Sequence, residues 1–521
     1  MYAACWIERG SMQGAGSAVK KKGHLVKAEK SVLLIVPHAD DELFVGGGLL
    51  KTLAQRQGYE CFVVYTTNSD YFTHEGEERI RESLRVLIEI YGIIKKNIFY
   101  LGYGDGWKSD RHLYNQEDFQ IIESVAGRKE TYVSSGCGEY RMLKSGSHSA
   151  YCRSSFKQDL KELLEDLMAD IILAVDYDKH PDHKAASLMA EECIGELLLD
   201  KPDYHPLVLK RYAYDGVWKG QPDFFEIPRK RTILSMEEHS PYREEDRICI
   251  GMPPDCGTPY LARNFLYRAA RCYRTQEVWQ KADEIINIDE VFWVRNTDNL
   301  LREAEVTASS GNVEYLRDFK LFDCADITQS EFVPTSCGWL PADFDDKRHI
   351  RIRFSDLHTI AQINVYALGD EQTDVLAGEF VFDGKRSITA DRICLDGKKN
   401  TIMLEEGFKA RNIDFYLTKY AGSPTGITEM EILCHKDGEI PEEVRHLIFN
   451  GDTIEYNRRN KMLIRVQKAC WLLQRKLWSW FPDRYFLQRQ YPDLTAKPSW
   501  TGVYRAKYFW SIVRKKLERI F

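Results

Sequence analysis

The chain has 521 residues, of which 44% are hydrophobic and 29% are charged; this composition is typical of a globular protein and excludes a disordered or fibrous one. Its length predicts about three domains. No apolar run reaches the roughly 20 residues that a membrane-spanning helix needs. Glu8 and Arg9 interrupt the segment in which a secretory signal would need an apolar core. We therefore expect a cytoplasmic protein, whose 13 cysteines are reduced.

The net charge of −7 is divided unevenly along the chain. From Tyr456 to the C-terminus, 16 Lys and Arg residues stand against 3 Asp and Glu residues, which gives this part a net charge of +13 and leaves −20 for the remainder. Such an asymmetry predicts two parts of the chain with different roles.

Residues 1–29 are rich in Gly, Ser and Lys without periodicity, which predicts a mobile leader. Between residues 30 and 298, apolar segments of strand length alternate with segments of helical periodicity. The predicted strands are 31–36, 61–67, 97–103 and 170–176, and the predicted helices are 80–91 and 156–167. This alternation predicts an α/β domain, a Rossmann-like and largely parallel sheet with flanking helices.

After Asp298 the pattern changes to short segments in which polar and apolar residues alternate. These predicted strands are 349–354, 361–368, 378–384, 400–407, 412–420 and 429–435. Without helices between them, they predict an antiparallel β-sandwich over residues 299–438. Residues 439–521 resume helical periodicity with many Arg, Lys and Trp residues, which predicts a basic, aromatic-rich helical region.

Two clusters of metal-ligand side chains follow predicted strands of the first domain. One is His38-Ala39-Asp40-Asp41-Glu42, after strand 31–36, and the other is Asp178-Lys179-His180-Pro181-Asp182-His183, after strand 170–176. Open α/β sheets bind ligands beyond the carboxyl ends of their strands, and three His or carboxylate ligands with an open position are typical of catalytic zinc. The alternative for either cluster alone is a helix N-cap with exposed acids.

The pair PHADDE at 37–42 and HPDH at 180–183 resembles the PIG-L/LmbE-like family of metal-dependent de-N-acetylases, which hydrolyse the acetamide of N-acetylglucosaminyl conjugates. Shorter elements agree with it, namely Thr66-Thr67, Arg79-x-x-Glu82, Leu101-Gly102-x-x-Asp105-Gly106 and Tyr273-Arg274-Thr275-Gln276. The resemblance covers about residues 30–297. It implies a hydrolase with one divalent metal, Zn²⁺ or alternatively Fe²⁺.

Carried over residue by residue, the resemblance implies that His38, Asp41 and His183 are the metal ligands. It implies that Asp40 is the general base for a metal-activated water. It also implies that His180 stabilises the tetrahedral intermediate, and a positively charged imidazole would oppose the developing oxyanion.

The roles of three further residues are less direct. Arg79 and Asp105 match positions that contact substrate in the family. Glu42 either hydrogen-bonds a ligand imidazole or is an acid at the start of a helix.

The chain departs from the family pattern in two places. Ala39 stands where the family usually has Pro, at a position that supplies no ligand. The long polar segment 107–155 contains Cys137, His148 and Cys152, and it is either a surface insertion that shapes substrate access or a second metal site. The spacing of these three residues matches no standard zinc pattern.

Residues 299–438 resemble a galactose-binding-like, discoidin-type (F5/8 type C) β-sandwich, through Ala308-Ser309-Ser310, Gly338-Trp339 and the segment 426–432. Such modules commonly bind glycans, but a scaffold without ligand is equally open because fold does not fix function.

The C-terminal region combines an apolar helical stripe with many basic residues. The stripe consists of Met462, Val466, Ala469, Cys470, Leu473 and Leu477. This pattern predicts either packing on the acidic part of the chain or binding to an anionic membrane surface. Basic and aromatic residues also suit single-stranded nucleic acid, but the absence of a recognisable nucleic-acid module argues against it.

We therefore expect a zinc-dependent hydrolase that removes the N-acetyl group from an N-acetylated amino sugar in a glycan or glycoconjugate. Two alternatives stay open. One is a glycan-binding or scaffold protein whose deacetylase domain does not turn over, and the other is a metal-dependent amidase that acts on a non-sugar acyl amine.

Overall fold

The fold, given by a computed structural model, consists of an α/β domain, a β-sandwich and a helical C-terminal region. The structure describes residues 18–21, 24–27, 29–72, 75–106, 112–133, 138–213, 218–219, 233–234, 242–287, 289–328, 331–332, 337–368, 376–393, 397–420, 425–436 and 458–517. No described helix combines the length and the apolar character that crossing a bilayer requires.

One large sheet organises the first domain. The chain up to the end of this domain contains the strands β1 (Ala18–Lys21), β2 (His24–Lys27), β3 (Lys30–Val36), β4 (Tyr59–Thr67), β5 (Ile98–Tyr103), β6 (Ile171–Val175), β7 (Leu207–Arg211), β8 (Trp218–Lys219), β9 (Ile233–Leu234), β10 (Ile248–Gly251) and β11 (Asp289–Arg295). Among the described residues, seven of them form a sheet in the order β10-β11-β7-β6-β3-β4-β5. The five strands from β7 to β5 are parallel, and β11 and β10 add an antiparallel edge.

Helices cover both faces of this sheet. They are α1 (Asp41–Ala54), α2 (Gly76–Arg85), which continues as a π-helical segment Val86–Tyr91, α3 (Tyr140–Ser145), α4 (Arg153–Leu167), α5 (Pro181–Asp200), α6 (Pro254–Gly257), α7 (Phe265–Ala270) and α8 (Ala282–Ile285). Side chains of a strand alternate between its faces, so Val32, Leu34 and Val36 of β3 join a core with α1 and α7. Leu33 and Ile35 join a separate core with α4 and α5 on the other face. Burial on both faces explains why the strand is continuously apolar.

The expected α/β fold is confirmed, and the structure adds elements to it. The antiparallel edge formed by β10 and β11 was not predicted, because four- and seven-residue strands between short helices lack the clear periodicity of the central strands. In the segment predicted as a mobile leader, β1 and β2 pair as antiparallel strands, while residues 1–17 lie outside the described residues.

The second part is the expected antiparallel β-sandwich. Its strands are β12 (Glu305–Ala308), β13 (Cys324–Asp326), β14 (Glu331–Phe332), β15 (His349–Thr359), β16 (Gln362–Ala367), β17 (Leu376–Phe382), β18 (Arg386–Ile393), β19 (Lys399–Met403), β20 (Lys409–Lys419) and β21 (Ile427–Leu433). Within the described ranges, β12-β15-β20-β17-β18 form one sheet and β19-β16-β21 form the other. Ile350, Ile352 and Phe354 of β15 are buried in the core between them.

Buried polar contacts join the sandwich to the α/β domain. Arg295, at the end of β11, donates to Glu191 Oε1 at 2.7 Å and to the carbonyl oxygen of Phe319 at 2.7 Å. Asn296 donates to Glu431 Oε2 of β21 at 2.9 Å. Glu191 belongs to the α/β domain and holds the buried guanidinium in place, while Phe319 and Glu431 are the partners from the sandwich side. Because these groups are buried and need their partners, the last two contacts fix how the domains pack.

The C-terminal region contains α9 (Arg458–Trp480), α10 (Arg484–Gln490), α11 (Asp493–Ala496) and α12 (Thr501–Leu517). Ile464 and Trp471 of α9 belong to the core of the α/β domain. Trp471 Nε1 donates to the carbonyl oxygen of Trp279 at 3.3 Å, and Gln467 accepts from the backbone N–H of Leu261 at 2.9 Å. One face of α9 therefore packs on the α/β domain, which is one of the two alternatives that the sequence predicted for this basic region.

A glycine at the junction of the domains provides a test of this packing. A Cβ atom on Gly195 of α5 would lie 2.0 Å from the backbone oxygen of Asp318. We expect Gly195→Ala to lower the free energy of unfolding by about 1–3 kcal/mol, because the clash is with backbone. Gly502→Ala is the control, since a Cβ there meets open space, and it should raise stability by up to about 1 kcal/mol. Thermal denaturation checks both, and equal effects would contradict the close approach.

Candidate active site

The candidate site lies at the carboxyl ends of β3 and β6, where the two predicted clusters meet. Asp40 has a φ angle of 117° and precedes α1, so the chain turns sharply between strand and helix. Asp40 and Asp41 are buried, and the side chain of Asp40 makes no capping hydrogen bond to α1. The alternative of an N-cap with exposed acids is therefore wrong for this cluster.

The three predicted metal ligands lie together, because the imidazoles of His38 and His183 both contact one carboxylate oxygen of Asp41. Asp41 Oδ2 lies 3.0 Å from His38 Nδ1 and 3.2 Å from His183 Nε2. The side chains of all three residues are at most 3% exposed. Two neighbouring strand ends thus bring two imidazoles and a carboxylate together, as the sequence predicted.

Carboxylates hold both imidazoles from behind. Asp178 Oδ2 lies 2.7 Å from His183 Nδ1, and Asp182 Oδ2 lies 3.1 Å from His38 Nε2. Asp182 also accepts from the backbone N–H of Gly106 at 3.0 Å. Carboxylates that hydrogen-bond ligand imidazoles fix the ring orientation and raise the basicity of the ligand, so Asp178 and Asp182 position the site.

These positioning residues were not predicted, although both lie inside the quoted motif. The sequence signal that could have identified them is their position in this motif, because Asp178 and Asp182 lie five residues and one residue before His183. His112 was missed entirely; its Nε2 lies 3.0 Å from Asp182 Oδ1, a contact across 70 residues that no local pattern indicates.

The electrostatics of the cluster favour positive charge. Burial lowers the pKa of His183, but the carboxylates of Asp178 and Asp41 more than offset this and raise it to about 9. Burial raises the pKa of Asp41, but His183 and His38 hold it well below its usual range. The buried carboxylates around the two imidazoles therefore stabilise positive charge at this site.

The residues present fit a divalent metal. Asp41 Oδ1 is buried without a hydrogen-bond partner among the described residues, which leaves one carboxylate oxygen for a ligand. Two overlapping groups of potential metal ligands share His38, one with His180 and His183 and the other with Asp105 and Asp182. Imidazole and carboxylate ligands suit zinc and also iron.

The predicted substrate-contacting residues lie beside this cluster. Arg79 Nη2 is 3.4 Å from Asp40 Oδ1, and Arg79 Nη1 is 3.8 Å from Asp105 Oδ2. Asp105 Oδ2 is in turn 3.6 Å from His38 Nε2. Burial raises the pKa of Asp40 to about 6, against the guanidinium of Arg79, which lowers it.

His180 caps α5 rather than pointing away from it. Its Nδ1 accepts from the backbone N–H of Asp182 at 3.2 Å, so the proton of a neutral ring is on Nε2. Burial, together with the charges of His38 and His183, lowers the pKa of His180 well below its usual value. The structure therefore favours a neutral imidazole, against the positive charge expected from the sequence.

Glu42 occupies a different place from the predicted imidazole contact. Its carboxylate accepts from the hydroxyls of Tyr65, at 3.0 Å, and Tyr273, and from the backbone N–H of Asp40 at 3.1 Å. Burial raises the pKa of Glu42 to about 8. Of the two alternatives for Glu42, the ligand-imidazole contact is wrong and the acid at the start of a helix is confirmed, since Glu42 lies in the first turn of α1 and its oxygens accept from the Asp40 backbone and the two tyrosines.

The Arg79-x-x-Glu82 and Tyr273–Gln276 elements meet beneath the site. Glu82 accepts from the hydroxyl of Thr275 at 2.5 Å and from the backbone N–H of Arg274 at 2.9 Å.

The suggested second metal site is not assembled among the described residues. His148 lies 2.5 Å from Glu139, Cys152 contacts Ser154 and Ser155, and Cys137 lies outside the described residues.

The part of the chain that forms the site matches a known protein family. Residues 33–194 match the family model described as PIG-L: GlcNAc-PI de-N-acetylase. These residues form a PIG-L de-N-acetylase domain. The match confirms the resemblance over residues 33–194 of the predicted 30–297, and these residues contain every predicted site residue from His38 to His183. No curated protein matches the chain.

The solved structures that match this chain match its β-sandwich. CpGH89CBM32-6 from Clostridium perfringens is 17% identical, with 26% of this chain and 98% of that chain covered and a TM-score of 0.19. The family 32 carbohydrate-binding module of EndoD from Streptococcus pneumoniae is 13% identical, with 26% and 98% covered and a TM-score of 0.20. The family 32 module of NanJ from C. perfringens, in complex with galactose, is 9% identical, with 25% and 93% covered and a TM-score of 0.19. At these TM-scores the similarity supports no inference about a ligand.

The hydrogen bonds beneath Asp40 can be tested by stability. We expect Tyr273→Phe to lower the free energy of unfolding by about 1–3 kcal/mol, because a buried carboxylate loses a donor. Tyr260→Phe is the matched control, since the buried hydroxyl of Tyr260 has no partner among the described residues, and its removal should be neutral or stabilising. Urea denaturation measures both, and a neutral Tyr273→Phe would contradict the role given to Glu42.

Proposed function

We propose that the chain is a zinc-dependent N-deacetylase that removes the acetyl group from an N-acetylated amino sugar in a glycoconjugate. The observation that carries this proposal is the convergence of His38 and His183 on Asp41 Oδ2, with Asp40 beside them, inside a PIG-L domain. Hydrolysis of an amide needs a nucleophilic water, a proton carrier and a stabilised oxyanion, and the site offers a residue for each task.

His38, Asp41 and His183 would hold the metal. A bound Zn²⁺ supplies Lewis acidity, which lowers the pKa of water and polarises a carbonyl group. The chain's own residues prepare the ligands for it, because Asp178 and Asp182 fix the two imidazole rings through hydrogen bonds of 2.7 and 3.1 Å.

Asp40 carries the proton in this proposal. It accepts a proton from the attacking water as the water oxygen bonds to the acetamide carbonyl carbon. When the C–N bond breaks, Asp40 returns the proton to the amine nitrogen, so that acetate and a free amine leave. Arg79, 3.4 Å from Asp40, and the Glu42 hydrogen bond to the Asp40 backbone hold the carboxylate in place.

His180 stabilises the oxyanion as a hydrogen-bond donor. Since its Nδ1 accepts from Asp182 N–H, Nε2–H is the group that donates to the carbonyl oxygen as that oxygen becomes negative. A neutral donor of fixed tautomer performs this task without a full positive charge.

Paired variants test the metal and proton roles separately. We expect His183→Ala to lose bound metal and acetate release together. Asp40→Asn should keep the metal and lower kcat by about 10²–10⁴-fold, the usual contribution of a general base. His205→Ala is the control, because His205 is exposed and its Nδ1 hydrogen-bonds the backbone oxygen of Thr297 at 3.0 Å; it should change neither metal content nor activity. Metal analysis and acetate release from N-acetylglucosaminyl substrates, after reloading with Zn²⁺ or Fe²⁺, provide the measurements.

The outcomes discriminate between the candidate functions. Full turnover by His183→Ala, with its metal retained, would contradict the ligand set. Stoichiometric metal without turnover on a broad panel of N-acetyl sugars would favour the glycan-binding or scaffold protein. Turnover confined to acyl amines without a sugar would favour the amidase.

A further inference from the structure

The two faces of α9 have opposite environments. Ile464 and Trp471 are 3% and 5% exposed, because they pack into the core of the α/β domain. With about 100° between successive residues of a helix, the apolar stripe of the sequence lies on the face opposite to these two residues. The stripe therefore points away from the α/β domain.

Every member of this stripe is exposed. Met462 is 70% exposed, Val466 is 52%, Leu473 is 57% and Leu477 is 48%. An amphipathic helix normally buries its apolar face against its own protein. Here the docking contact uses the other face, and the continuous apolar face is presented to the outside, which marks it as a binding surface.

The chemistry around the stripe indicates its partner. Residues 458–517 contain 15 Lys and Arg residues against 2 Asp and Glu residues. Arg465 and Lys476 are exposed on the same helix as the stripe. On α12, Val503 is 62% exposed and Trp510 is 66% exposed. Aliphatic side chains flanked by basic ones, with exposed tryptophan nearby, suit the interface of an anionic lipid bilayer.

We propose that the exposed face of α9 lies on an anionic membrane surface, with the stripe inserted among the lipid headgroups. The basic residues supply electrostatic attraction to an anionic bilayer, and the aliphatic stripe supplies burial of apolar surface. A single-stranded nucleic acid is disfavoured, because Met, Val and Leu offer no ring on which a base can stack. The proposal does not depend on the hydrolysis of any particular substrate.

Vesicle binding by the full chain tests this surface. The chain should bind vesicles made of equal parts phosphatidylcholine and phosphatidylserine, bind vesicles of phosphatidylcholine alone far more weakly, and be released by added salt. Val466→Gln with Leu473→Gln should weaken binding at least about tenfold, since apolar area is lost without a change of charge.

The matched control is Leu357→Gln with Met403→Gln, which removes the same kind of exposed side chain from the sandwich, where these residues are 60% and 50% exposed. It should bind like the unaltered chain. Unaltered metal content and melting temperature show that the stripe variants are folded.

Three results would overturn the proposal. The first is equal binding by the stripe variant and the unaltered chain. The second is absence of vesicle binding while the unaltered chain sediments as a dimer that the stripe variant abolishes, which would assign the face to a second copy. The third is tight binding to single-stranded DNA without binding to vesicles.

Discussion

The contact of Asp41 Oδ2 with two imidazoles is the constraint around which the first domain is arranged. His38 and His183 come from strand ends 145 positions apart in the chain, and only a parallel pairing of β3 with β6 brings these ends to the same edge. A buried carboxylate is costly without compensation, so the surrounding carboxylates, imidazoles and backbone amides must all be correctly placed. The sharp turn at Asp40, the start of α5 at Pro181 and the approach of Gly106 to Asp182 follow from this requirement.

The hydrogen bonds beneath the site show how the domain supports its strained part. Asp40 adopts a φ angle of 117°, which L-residues rarely adopt and which needs support from the surrounding structure. Glu42 gives that support by accepting from the Asp40 backbone while two tyrosine hydroxyls hold its own carboxylate. The tyrosines come from β4 and from the segment after α7, so distant parts of the sequence share in fixing one backbone turn.

How far the sequence predicts the molecule depends on whether a signal is local. The central strands, the sandwich and the proximity of His38, Asp41 and His183 could be predicted, since each rests on a continuous apolar run, a period of two residues or a compact motif. His112 and the tyrosine contacts of Glu42 could not, because they depend on tertiary proximity across long sequence separations. The orientation of α9 was also beyond prediction: periodicity shows that a helix has an apolar face, but Ile464 and Trp471 decided which face docks.

The position of α9 has a consequence for biosynthesis. Trp471 bonds a residue 192 positions earlier, and Arg489 pairs with Glu75 across 414 positions. Domains generally fold from the N-terminus as the chain leaves the ribosome. The hydrophobic core of this first domain is therefore completed by Ile464 and Trp471, which are translated after the whole sandwich. The nascent α/β domain therefore reaches its final packing only when the chain has been synthesised beyond the sandwich and through α9.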